Sequence, residues 1–338
     1  MTKVRFYVVF VGLLAFLWAS WDVSNAWGQQ SRSRRTKSVE QEESVSPSEE
    51  EEGVDTIEEL RKLPPKKPIR VPDEELKTKD GVVLSATYYP SNLGKYAVPV
   101  ILLHSWEGSR KEFSTLAPHL QKLGYAVLVP DLRGHGKSNR QETEPEVYEE
   151  FKVGRFNADT FNAMVLYDLP QLKRFLMREN NAGRLNIDKL GLVGIEMGAL
   201  LAGTYASKDW APNVKRNKRM PFTGDVKGIV VISTPKNFSG LKFIDTLNNP
   251  NWVQNMSALI LSGAASREVE KPKLLKNQIM RKLRVKDSEN IFDVQLDVNL
   301  QGAKLIAVVN SDAVKLIAEF LQLRLEDREF PWENRSKN

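Results

Sequence analysis

Glu196 stands between two glycines, in Gly194-Ile195-Glu196-Met197-Gly198, directly after the apolar run Leu190–Val193. A carboxylate displayed on such a turn has two chemical uses. It can attack an electrophilic carbon to form an ester that water must then break, or, at a helix N-terminus, it can simply sit as an anion where a substrate oxyanion would bind. Turnover then needs a second group, most often an imidazole. The chain has three histidines, His104, His119 and His135, and none after residue 135. His104 is followed by Ser105 and is near Glu107 and Ser109 in sequence, while His135 lies inside Arg133-Gly134-His135-Gly136. The chain contains no cysteine, which excludes thiolate nucleophiles, disulfides, Cys-ligated zinc and iron–sulfur clusters.

The elements that must position these groups are short apolar runs alternating with amphipathic stretches. Val82–Tyr89, Val98–Leu103, Tyr125–Val129, Leu190–Val193, Gly228–Ile232 and Ala258–Leu261 read as strands, and Leu305–Val309 as the last one. Phe113–Leu123, Phe156–Glu179, a segment from Ala199 and Asp312–Arg324 read as helices, with His119 on the first of them. This alternation predicts an α/β protein with a mostly parallel central sheet covered by helices on both faces. In such sheets ligands sit outside the carboxyl ends of the strands, where His104, Asp131 and Glu196 all fall.

Three of these strand-end segments together resemble the α/β-hydrolase superfamily, in its dienelactone-hydrolase-like and serine-aminopeptidase-like branches. Leu102-Leu103-His104-Ser105-Trp106-Glu107-Gly108-Ser109 is similar to the family's oxyanion loop. Asp131-Leu132-Arg133-Gly134-His135-Gly136-Lys137-Ser138 resembles its D-x-R-G-H-G-x-S turn, and Gly194–Gly198 falls where it carries the G-x-S-x-G nucleophile elbow. The resemblance covers residues 73–325. It implies pocket roles for His104, Ser105, Trp106 and Met197, and a structural turn built from Asp131, Arg133, Gly134, His135 and Gly136. It also implies a nucleophilic serine, a late histidine and an orienting acid. Glu196 replaces the serine, no histidine follows residue 135, and Gly263-Ala264-Ala265-Ser266 lacks the acid, with Glu268 as the nearby substitute.

The expectation is therefore a catalytically degenerate hydrolase fold, with binding or structural work done through the residual pocket or the surface. The Glu196 carboxylate is expected to be favoured by the amides at its helix N-terminus and to block the oxyanion site itself. The alternative is a hydrolase of ester or other acyl substrates, using a relocated site with His104 or a carboxylate-based site at Glu196. The expected role of His104 is a loop-shaping hydrogen bond, and that of His135 is structural. No cofactor, metal or nucleic acid is expected, and no membrane contact beyond the N-terminal signal segment. Gly136-Lys137-Ser138 fails as a phosphate loop because Asp131 stands at the opening position, and Asp293 with Asp297 is too little for a metal site. Lys271–Lys286 is a basic amphipathic stretch that reads as a surface helix with a solvated face, the alternative being contact with an anionic membrane or acidic polymer.

Composition sets the frame. The 338 residues are 41% hydrophobic with net charge +6, typical of a globular protein and only mildly basic. Met1–Arg5 is basic, Phe6–Ser20 is apolar, and Ser24-Asn25-Ala26 offers a cleavage site, so residues 1–26 read as a secretory signal. The alternative is an uncleaved membrane tether. Either way the domain is expected outside the cytoplasm, periplasmic or extracellular. Residues 27–70, with Ser31-Arg32-Ser33-Arg34-Arg35, Glu49–Glu52 and a proline-rich end, read as a disordered charged linker with one or two helical turns at Thr56–Leu63. Residues 71–325 are then the folded domain and 326–338 a tail. A small-molecule or acyl ligand fits the pocket expectation, and the partner is left open.

Overall fold

The computed structural model describes residues 56–211, 224–243, 255–264, 271–286 and 288–336. The expected signal segment, the linker as far as residue 55 and Glu268 lie outside the described residues. Eleven strands are described: β1 (Ile69–Arg70), β2 (Val82–Val83), β3 (Ser85–Tyr89), β4 (Pro99–Leu103), β5 (Ala126–Asp131), β6 (Arg140–Glu144), β7 (Val147–Glu150), β8 (Leu190–Ile195), β9 (Val226–Ile232), β10 (Ser257–Gly263) and β11 (Ile291–Leu296). The helices are α1 (Ile57–Lys62), α2 (Leu116–Lys122), α3 (Ala158–Ala163), α4 (Leu169–Asn181), α5 (Met197–Asp209), α6 (Pro272–Leu283) and α7 (Asp312–Leu321).

Eight strands form the main sheet in the order β1-β3-β5-β4-β8-β9-β10-β11. The six from β5 to β11 are mutually parallel, while β1 and β3 run antiparallel at the first edge. Strand residues alternate between two cores, as the pleat requires. On β5, Ala126 and Leu128 face one core and Val127 and Val129 the other; on β10, Ala258 and Ile260 oppose Leu259 and Leu261. The first core is closed by α4, α5 and α6 through Leu172, Leu176, Leu200, Tyr205 and Ile279, and the second by α2 and α7 through Leu120, Val314, Ile317 and Leu321. Every residue of β4, β5, β8, β9 and β10 is buried, which is why these strands read as unbroken apolar runs. A smaller sheet, β2-β6-β7, stands beside the main one.

Four expectations are corrected. Leu305–Val309 is no strand: Gly302–Ile306 forms a 3-10 turn whose Leu305 and Ile306 sink into the second core. The last strand is β11, at the sheet edge, where Asp293 and Gln295 interrupt the apolar run. The helix expected over Phe156–Glu179 starts at Ala158, capped by the Asn157 side chain, and is interrupted by a π turn at Met164–Asp168.

Residues 56–70, expected in the linker, are folded onto the domain. Thr56 and Glu59 form a capping box on α1, Arg61 reaches the Leu123 carbonyl and Glu326, and β1 pairs with β3. Lys66 donates to the Ser91 carbonyl at 2.9 Å and its own carbonyl accepts from Gln121 at 2.8 Å. The tail is folded as well. The Trp332 indole donates to the Leu185 carbonyl at 3.1 Å, and buried Arg335 pairs with Asp225 and Asp188.

Candidate functional site

β8 turns sharply into α5 at Glu196, whose backbone sits at φ 51°, ψ −109°. A non-glycine residue there stores strain of about 1–3 kcal/mol, which the surrounding packing must enforce. The glycines show how. A Cβ on Gly194 would collide with the Gly198 carbonyl, and one on Gly198 would collide with the carbonyls of Leu103 and His104 at the end of β4. Only a bare backbone lets α5 start so close to the neighbouring strand.

The Glu196 carboxylate is half-buried. It makes no cap contact with the α5 amides; its Oε1 accepts from the Gln301 side-chain amide at 3.3 Å, its one hydrogen bond among the described residues. Burial pushes its pKa up and the Gln301 bond pulls it down, while Glu112 and Glu107 push it further up. The expected blocking of the oxyanion site by Glu196 is thus corrected: this side chain leans toward Gln301 and Gly302 instead. Gly302 leaves room for it, since a Cβ there would lie 2.6 Å from Oε1.

A different carboxylate occupies the loop after β4. Glu112 accepts the Ser105 backbone N–H at 2.9 Å through Oε2 and the Ser105 hydroxyl at 2.6 Å through Oε1. Gly108 lies beside it, and a side chain at that position would displace the Glu112 carboxylate from its place. Trp106, next in the loop, packs among aromatic rings from three other segments: His135 at 4.8 Å, Phe161 and Phe238 at 5.4 Å, and Phe156 at 5.8 Å between centroids. Met197 is fully buried in the first core.

The histidines hold structure. His104 is fully buried; its Nε2 accepts from the Leu132 N–H at 2.9 Å, so its Nδ1 carries the proton and donates to the Ser105 carbonyl at 2.6 Å. Burial pulls its pKa down to about 4. His135 is buried with Nδ1 donating to the Arg133 carbonyl at 2.9 Å, and Nε2 has no partner among the described residues. His119 faces a separate cleft of about 480 Å3 shared with Glu58, Arg61 and Lys315.

Asp131, Arg133 and the glycines build the turn after β5. Asp131 accepts from the backbone N–H groups of Arg110 and Lys137, each at 2.9 Å, and Ser138 ties the Asp131 carbonyl to the Ser85 amide. Gly134 and Gly136 take φ of 78° and 52°, and a side chain at Gly136 would strike the Asp131 carboxylate. Arg133 is buried between Asp80 and Asp168. Among the described residues no three His, Asp or Glu side chains gather into a metal site.

The path of the sheet and the turn at Glu196 agree with comparisons to known proteins. The chain matches the α/β hydrolase fold family over residues 98–258. The chain has the α/β-hydrolase fold.

Solved structures with this fold superpose on it. An esterase from Pyrococcus furiosus matches with a TM-score of 0.53 and 18% identity, covering 80% of this chain and 96% of that one. A putative dienelactone hydrolase from Klebsiella pneumoniae matches with a TM-score of 0.52 and 16% identity, covering 78% and 100%. No curated protein sequence matches the chain. Within this α/β-hydrolase frame, sequence reasoning singled out Glu107 and missed Glu112 and Gln301. Glu112 is seven residues past Ser105 on a single 3-10 turn, Arg110–Phe113, that folds it back onto the loop. Gln301 comes from a segment 105 residues beyond Glu196, and no sequence spacing announces that contact.

Proposed function

We propose that this α/β-hydrolase-fold protein is exported and does not hydrolyse esters, acting instead by binding or scaffolding at the rim that in its catalytic relatives carries chemistry. The observation that carries this reading is the Glu112 carboxylate on the Ser105 N–H and hydroxyl. In α/β-hydrolases the loop after this strand supplies an N–H to the substrate oxyanion, and a resident carboxylate opposes a second negative charge there. The His104 lone pair is already taken by Leu132, so that ring has no free site to accept a proton. Export is supported by the basic start, the apolar run Phe6–Ser20 and Ser24-Asn25-Ala26. A residual small-molecule or acyl ligand suits the apolar surround of Trp106.

The test is direct. Purified protein is expected to resist a fluorophosphonate serine probe and to cleave short aryl esters no faster than a boiled control. Glu196→Ser is expected to stay folded and remain inactive. Turnover abolished by His104→Ala would overturn the reading. For export, the processed chain is expected to begin at Trp27 by mass spectrometry; an intact Met1 in the exported fraction points to a tether.

One observation favours a second reading. The 2.6 Å hydrogen bond from the Ser105 hydroxyl to Glu112 pairs a nucleophile with a carboxylate base, which suits hydrolysis of an ester or other acyl substrate. Ester turnover that survives His104→Ala but is lost in Ser105→Ala would select it.

A further inference from the structure

Helix α6 buries Pro272, Leu275, Ile279 and Met280 against the domain and turns its other side to solvent. The helix and the residues flanking it carry Lys271, Lys273, Arg281, Lys282, Arg284 and Lys286, all exposed, and no Asp or Glu occurs from 271 to 286. Lys276, partly buried, is paired with Asp293 at 3.4 Å and is set apart from this group. Among the described residues none of the six exposed cations forms an ion pair, and Arg281 donates only to the Asn277 carbonyl. Spacing of 3.6 residues per turn puts Lys273 and Arg281 on one exposed stripe, with Asn277 between them and Leu274, 54% exposed, at its margin, and Arg284 follows directly as the exposed left-handed C-cap.

We propose that this stripe docks the domain onto an anionic phospholipid surface. Its charges are spread along about 18 Å of helix without a concavity to seat a single anion. That geometry matches a field of headgroup phosphates rather than one ligand. An exposed leucine beside the cations suits the headgroup boundary, where short apolar side chains are tolerated next to basic ones. Single-stranded nucleic acid is disfavoured, because residues 271–286 contain no aromatic side chain to stack on a base, and duplex DNA is the competitor the experiment includes. The chain also opens with a basic and apolar segment of the kind that delivers proteins to a membrane. The docking surface is independent of whether the rim near Glu196 turns over substrate, so the two readings fail separately.

The experiment is co-sedimentation of the full chain with vesicles of phosphatidylcholine alone and of phosphatidylcholine with phosphatidylglycerol. The apolar N-terminal run would contribute equally to both, so the comparison isolates charge. Binding to the anionic vesicles is expected to be tighter by about tenfold or more, and the gap is expected to close near 0.5 M salt, where the screening length falls to a few ångströms. The variant K273E/R281E/R284E is expected to abolish the gap with an unchanged melting midpoint. If it misfolds, K273Q/R281Q/R284Q replaces it. Equal binding to both vesicles overturns the proposal. So does a gap that persists in the variant, which would move the contact to Arg32–Arg35. So does duplex DNA that displaces the vesicles and is itself bound through the same three residues.

Discussion

Ser105 gives both its backbone N–H and its hydroxyl to one carboxylate, that of Glu112. The pair closes the loop after β4 on itself. Removing the acceptor strands two partly buried donors, each worth roughly 1 kcal/mol or more. Glu112→Ala is therefore expected to lower the unfolding free energy by about 1–3 kcal/mol in urea titration, with Ser105→Ala costing less. Equal stability of Glu112→Ala and the parent would show the pair to be incidental.

His104 predicts a pH dependence. Burial holds its folded pKa near 4, below an unfolded value of about 6.5. Between these values the unfolded chain binds a proton that the folded one refuses. Stability is therefore complete above pH of about 6.5 and falls as pH drops toward 4, by about 3 kcal/mol in all. His104→Asn is expected to flatten this part of the stability–pH curve. A curve of unchanged slope in the variant would assign the effect elsewhere.

The strained elbow predicts a gain. Glycine occupies positive φ without a Cβ penalty, so Glu196→Gly is expected to raise the unfolding midpoint by about 1 kcal/mol equivalent while removing a half-buried carboxylate. Glu196→Val is expected to lower it. A loss of stability on Glu196→Gly would mean that the Gln301 contact outweighs the strain.

Arg335 predicts how the tail holds. It is buried against both oxygens of Asp225, each at 2.9 Å, and also reaches Asp188. Burial alone would push the Asp225 carboxyl up, but Lys173 and Arg335 hold it well below the usual carboxylate range. Its contribution is present above pH of about 4 and is lost on further acidification. Arg335→Ala is expected to cost about 3–5 kcal/mol at neutral pH and to lose less than the parent on going from pH 4 downward. Denaturant melts at the two pH values check both statements.

The buried part of the fold was legible because burial on both faces writes itself as unbroken apolar runs. β4, β8, β9 and β10 are of this kind, and their ends located the loop at His104 and the turn at Glu196. What escaped notice lies where the pattern is mixed. β11, at an edge, alternates Phe292, Asp293, Val294 and Gln295, while Leu305 and Ile306 are apolar yet belong to a 3-10 turn. α1 was legible as a helical turn at Thr56–Leu63, but it and the tail carry the charged composition of a linker. They are nevertheless held by specific contacts, Arg61 to Leu123 and Glu326, and Arg335 to Asp225, that no local propensity encodes. Of the site, the identity of the elbow residue was plain. The direction of its side chain was not, because that depends on Gln301 and Gly302 arriving from the far end of the sheet.

The close approach of Gly198 to the carbonyls of Leu103 and His104 has a bearing on how such a scaffold changes over time. A turn held only by the side chain it presents is free to relax when that side chain changes. Here the same kink sets the seat of a buried helix on the central strands, so packing alone keeps it cocked. Different side chains can therefore stand at that position while the pedestal beneath stays in place.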